Sequence, residues 1–171
     1  LFNSIKFILK KNKSIQFVLV NNGSTDNTKN IFNSLNNRNI LKVNIKENIG
    51  YGHGIMSGVK RSTGKVIAWS HSDLQVKLND VVSAYSSNTK QLINNTIVVK
   101  GKRTNRSLFD NLFTYFMSVI VNYLFNVNLS DINAQPKIFS KVFKKNFLNK
   151  NPKDFSLDLF FLLLAHKKNL K

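Results

Sequence analysis

The chain has 171 residues, 42% hydrophobic and 11% aromatic, enough for the core of one domain. It has no Cys, which excludes a disulfide scaffold, a thiol nucleophile, an iron–sulfur cluster and a Cys-ligated zinc site. Its 26 Lys and Arg against 8 Asp and Glu give a net charge of +18, which calls for anionic partners: phosphate-bearing ligands, a lipid surface or nucleic acid.

Nucleic acid is disfavoured, because Arg38, Arg61, Arg103 and Arg106 are the only arginines and none stands in a base-reading motif. In chain order, Phe2, Ile5, Ile8 and Leu9 recur at helical spacing and predict a helix over 1–13. The near-continuous apolar run 15–20 predicts a strand covered on both faces. Turn formers fill 21–27, and Ser24, Thr25 and Asp26 offer capping oxygens to a helix carrying Ile31, Phe32 and Leu35. Residues 40–45 read as a second strand, and 50–58 as a glycine-rich loop running into a helix that ends near Gly64. A third strand is expected over 66–70, a helix over 81–92, a fourth strand over 97–100, a basic loop over 101–106 and a long helix over 108–125.

This alternation predicts right-handed crossovers and a mostly parallel sheet covered by helices. The polar clusters 21–26, 48–54, 71–75 and 101–106 then all fall at strand carboxyl ends, where open α/β sheets bind ligands. No apolar run reaches the roughly 18 residues that span a bilayer. Residues 112–127 read as a core helix, or as an interfacial helix on a membrane whose anionic headgroups meet Lys141, Lys144 and Lys145.

Each polar cluster has a ligand-binding and a purely structural reading. The segment 20–26 can hold a base or ribose on backbone N–H groups and side-chain acceptors, or simply cap a helix. Gly50, Gly52 and Gly54 admit a ligand, or let a helix pack close to the sheet. They do not complete Gly-X-Gly-X-X-Gly, since the last position falls on Ile55 or Ser57, and Gly64-Lys65 is followed by Val66, not Ser or Thr; both facts speak against a dinucleotide oxidoreductase and a P-loop. Asp73, with Gln75 and His71, suits a hard divalent ion if a diphosphate completes the shell, or Asp73 caps the following helix. The loop with Lys100, Lys102, Arg103 and Arg106 suits phosphate, or is a solvated turn.

Taken in order, the segments Phe17 to Asp26, Asn48-Ile49-Gly50-Tyr51-Gly52, Thr63 to Ile67, Ser72-Asp73-Leu74-Gln75, Lys100-Gly101-Lys102-Arg103 and Asp131 to Lys137 resemble the successive landmarks of family-2 glycosyltransferases of the GT-A fold. The likeness is to the branch that glycosylates polyprenyl (dolichol) phosphate. It implies an α/β fold, a three-layer α/β/α sandwich with a mostly parallel sheet, in a single domain over 1–171 that lacks the family's first strand and its C-terminal part. It implies transfer with inversion from a UDP- or GDP-linked sugar to polyprenyl phosphate or a cell-envelope glycan, with Mg²⁺ or Mn²⁺, at the cytoplasmic face of the membrane.

By the same resemblance the donor meets Asn21 and Asn22 (where the family has two Asp), Ser24, Asp26, Asn48, Gly50, Gly52, His71, Ser72, Arg103, Arg106, Gln135 and Lys137. Asp73 matches the second acid of the metal motif, with Gln75 beside it and His71 in place of the first acid. A phosphate acceptor needs no general base; for a sugar hydroxyl, Asp131 and Asp158 are the candidates. The replaced acids leave an alternative, a nucleotide- or nucleic-acid-binding module of the same fold without turnover.

Overall fold

The computed structural model describes residues 1–73, 75–104 and 106–171, with all their side chains except that of Lys29. Leu74, inside the Asp73–Gln75 motif, and Asn105, inside the basic loop, lie outside the described residues. The elements run α1 (Phe2–Lys11), β1 (Phe17–Asn22), α2 (Thr28–Ser34), β2 (Ile40–Ile45), α3 (Tyr51–Arg61), β3 (Val66–Trp69), α4 (Leu78–Ile93), β4 (Val99–Lys100), α5 (Leu108–Phe125), β5 (Lys137–Ser140), α6 (Lys141–Lys144) and α7 (Leu157–Lys167).

β1 and β2 pair in parallel, Phe17 opposite Ile40 and Asn22 opposite Ile45, with α2 as the crossover. β1 runs two residues further than the apolar run predicts, so Asn21 and Asn22 are part of the strand. The glycine-rich segment is the helix α3 itself, not a loop before it. Each helical glycine costs about 1 kcal/mol against Ala, and close packing explains their presence. A Cβ on Gly58 would stand 2.8 Å from Val20 Cγ2, and one on Gly54 2.9 Å from the Asn22 carboxamide. Met56 and Val59 on the same helix are buried, which offsets the backbone cost.

The other strands form a second sheet in which β5 lies between β3 and β4 and is antiparallel to both. The class is α/β as expected, but the single mostly parallel sheet is not what forms. The difference comes from β5, which sequence patterning misses. Its four residues, Lys-Ile-Phe-Ser, are all buried and show no alternation, and a run this short carries no period. Trp69 and Lys100 face Lys137 from the two neighbouring strands.

Trp69, Phe139, Phe143, Phe147 and Phe161 pack mostly edge-to-face, with Trp69–Phe161 centroids 4.8 Å apart and Phe139–Phe161 5.2 Å apart. This cluster ties β3, β5, α6 and α7 together and anchors the end of β3, from which His71 and Asp73 project.

α5 departs furthest from expectation. It is one continuous helix of 18 residues with a mean hydropathy of 1.3, long and apolar enough to cross a membrane by length and composition. It is not a core helix: only Thr114, Ser118, Val121 and Asn122 escape full exposure. Lys144, expected to face headgroups, is buried instead, its ammonium donating to the Ser62 carbonyl at 2.8 Å.

Candidate functional site

The turn after β1 is closed by the strand's own last residues. Gly23 adopts φ +75°, and Asn21 Oδ1 accepts from Ser24 N at 3.0 Å. Asn21 is buried, and its amide reaches Asn44 at 3.4 Å. Asp26 accepts from Thr28 N at 3.0 Å, and the Thr28 hydrogen bonds hold its carboxyl below the ordinary range, so it shapes the exposed turn ahead of α2, whose cap position is Asn27. Ser24 is exposed beside it.

Asn22 Nδ2 donates to Asn48 Oδ1 at 3.0 Å and to the Gly50 carbonyl at 3.2 Å, and Asn48 Oδ1 also accepts from Gly50 N at 3.0 Å. The Asn22 side-chain Oδ1 is buried without a partner. A side chain on Gly50 or Gly52 would strike the carbonyls of Lys153 and Pro152. Of the two readings for these glycines, the geometry therefore matches close packing: the space before them is filled by the protein's own backbone.

Tyr51, the first residue of α3, sits at the centre of the site. Its hydroxyl donates to Asp158 Oδ2 at 3.0 Å and accepts from Gln135 Nε2 at 3.0 Å, while His71 Nε2 lies 3.3 Å away. Asp158 Oδ1 takes the Lys137 ammonium at 2.9 Å and a second Gln135 N–H bond at 3.0 Å. Lys137 Nζ also donates to the carbonyls of Ile132 and Ala134, at 2.8 and 2.7 Å. The pair is sealed, Lys137 at 0% and Asp158 at 3% exposure. Burial lowers the Lys137 pKa despite the Asp158 carboxylate, whereas burial and that same carboxylate raise the Tyr51 phenol, which stays a proton donor.

Tyr51 has a single proton and gives it to Asp158. In its contact with His71 the imidazole Nε2–H is therefore the donor, and Nδ1 is the ring nitrogen on the Asp73 side. His71 Nδ1 and Asp73 Oδ2 are 3.8 Å apart, and both side chains are solvent-exposed. Asp73 also accepts from Gln75 N at 3.1 Å, so it shapes the turn after β3. Gln75 and Ser72 are exposed next to it. Among the described residues no group of three or more His, Asp or Glu comes together, so a cation here has two charged or imidazole donors at most.

At the end of β4 Arg103 clasps Asp131, with its backbone N–H on Oδ2 and Nε on Oδ1, each at 2.6 Å. Burial alone would raise the Asp131 pKa, but hydrogen bonds and charge from Arg103, helped by Lys100, outweigh it and hold the carboxyl low. Arg106 turns instead to α5, donating to Thr114 Oγ1 at 2.7 Å. Because Asp131 titrates below the 3.8 of a free Asp, this contact stabilises the fold above about pH 4 and is lost as the pH falls through the folded value. Urea midpoints measured from pH 6 to pH 2.5 should drop at the acid end, and Asp131→Asn should flatten that drop.

With Asp73 beside His71 and Lys137 paired to Asp158, the structure thus joins His71, Gln135 and Asp158 through one residue, Tyr51, that sequence reasoning quoted but assigned no role. No local signal marks it, because its partners lie as far as 107 positions away. Phe155, which sequence reasoning did not single out, is exposed and stacks on the Tyr51 ring with centroids 5.0 Å apart and 8° between planes.

No curated protein and no solved structure is significantly similar to the chain. The sequence model of the family described as glycosyl transferase family 2 matches residues 2–135, from α1 through the β4 edge to Gln135. The match takes in the β1 turn, the β3 terminus and the Arg103–Asp131 clasp, and the chain belongs to glycosyl transferase family 2.

Proposed function

We propose that this family-2 glycosyltransferase moves a sugar from a UDP- or GDP-linked donor to a polyprenyl phosphate, with inversion, at the cytoplasmic face of a membrane. One observation carries the choice of acceptor. Both candidate bases are already neutralised by the protein's own cations, Asp158 by buried Lys137 and Asp131 by Arg103. A sugar hydroxyl needs a free carboxylate to take its proton. A phosphate monoester, with a second pKa of about 6, arrives ionised and needs none.

In the step proposed, an acceptor phosphate oxygen attacks the anomeric carbon opposite the leaving group. The new C–O bond forms as the anomeric C–O bond to the nucleoside diphosphate breaks, and the electron pair leaves with the diphosphate. Lys100 and Lys102 at the β4 edge supply positive charge for the phosphates. The exposed Asp73 carboxylate and His71 Nδ1, 3.8 Å apart with Gln75 alongside, suit Mg²⁺ or Mn²⁺ provided diphosphate oxygens complete the shell. The imidazole donor favours Mn²⁺. When bound, such an ion offsets charge on the departing diphosphate.

The test is a transfer assay with UDP- and GDP-sugars, Mn²⁺ or Mg²⁺, and two acceptors, a short polyprenyl phosphate and a neutral glycan. Product is expected on the phosphate alone. Transfer to the glycan with none to the lipid phosphate would overturn the acceptor assignment, and donor binding without transfer to either would mark a nucleotide-binding module instead.

A further inference from the structure

We infer that α5 is an in-plane membrane helix that seats its outer face in a leaflet containing anionic lipid. The helix is inside out for a protein in water. At about 100° per residue, the large apolar side chains from Tyr115 round to Met117 fan over roughly 200° of its circumference. Every other polar residue of the helix, namely Asp110, Asn111, Thr114, Ser118 and Asn122, lies on the remaining arc.

The fan faces solvent, with Leu108 at 89%, Phe109 at 80% and Tyr123 at 87% exposure. On the remaining arc Thr114, Ser118, Val121 and Asn122 are turned toward the protein, while Asp110 and Asn111 stay exposed. Thr114 Oγ1 receives Arg106 at 2.7 Å, and Asn122 clasps the backbone of Leu129 through bonds of 2.8 and 3.0 Å. These bonds are to residues flanking the helix; it is the burial of Ser118 and Val121 that sets this side against the protein, and the polar residues gathered on one arc suit a helix lying along a surface better than one spanning it.

A contiguous apolar face of this width exceeds what soluble surfaces tolerate. A protein groove covers one stripe of a helix, whereas a fan this wide fits a fluid apolar phase that closes round it. Charge selects the same occupant. The chain carries +18, so two copies repel each other while an anionic leaflet attracts the chain. Lys102, exposed, precedes the N-terminal end of the helix, where basic side chains meet headgroups. None of this depends on the transferase reading.

Flotation of the full chain with vesicles tests it, comparing pure phosphatidylcholine with a mixture containing phosphatidylglycerol. The chain is expected to float with the anionic vesicles and to partition at least about tenfold less into neutral ones. The double variant Phe113→Glu/Ile120→Glu alters two exposed side chains at the centre of the fan and should lose at least about tenfold of that partition. A second variant, Phe113→Trp, reports without a charge change: its emission should shift to the blue on anionic vesicles and be quenched by brominated acyl chains. Failure of the wild-type chain to float, flotation of the double variant equal to wild type, or Trp emission indifferent to vesicles would each overturn the inference. So would a dimer in sedimentation that the double variant converts to monomer, since a second copy would then be the occupant.

Discussion

Asp158→Ala should destabilise the protein by about 3–5 kcal/mol in urea denaturation at neutral pH. The substitution strands a fully buried ammonium, since Lys137 keeps only the carbonyls of Ile132 and Ala134. It also strips the acceptor from Tyr51 and one from Gln135. Domains of this size have total stabilities of about 5–15 kcal/mol, so the loss is a large share of the whole. The size of the effect comes from the unpaired charge, not from any large net gain from the pair itself. Lys137→Met/Asp158→Leu, which removes both charges, should therefore recover most of the stability. An Asp158→Ala variant as stable as wild type would show that the buried pair does not carry the site.

The second large effect is expected at Asp73, and it is functional. Asp73→Ala should lower kcat/KM for sugar transfer by about 10²-fold or more, the scale set by losing one group that stabilises developing charge. Metal-dependent affinity for the nucleotide-sugar should fall in calorimetry, while binding without metal stays unchanged. The fold should survive, because Asp73 is exposed and its hydrogen bond within the described structure is a local one to Gln75 N. Full metal-dependent activity in Asp73→Ala would remove the cation from this position.

Several parts of the architecture were legible before any coordinates. The spacing of Ile5, Ile8 and Leu9 marks α1, and the apolar runs mark β1 and β2, because these signals arise from a residue's immediate neighbours. The placement of polar clusters at strand ends, and the ordered motifs from Asn21 to Gln135, were equally visible, and the family match spans the same stretch. Three features were not. β5 is too short to show a period, so the antiparallel sheet was missed. The glycines of α3 look like a loop until the backbone of 152–154 and Val20 are seen to fill the space before them. The two carboxylates suggested as bases reveal their ion pairs only when Arg103 and Lys137 fold against them.

From composition and order alone came the cationic surface, the absence of thiol chemistry, the mixed α/β class and the family. Tertiary structure decided which glycines face backbone, which carboxylates are already matched by cations, and which side of α5 is turned outward. The reason is range: helix and strand patterns are set by residues a few positions apart, whereas a buried charge or an outward apolar face is defined by partners up to 107 positions away, and no local window contains them.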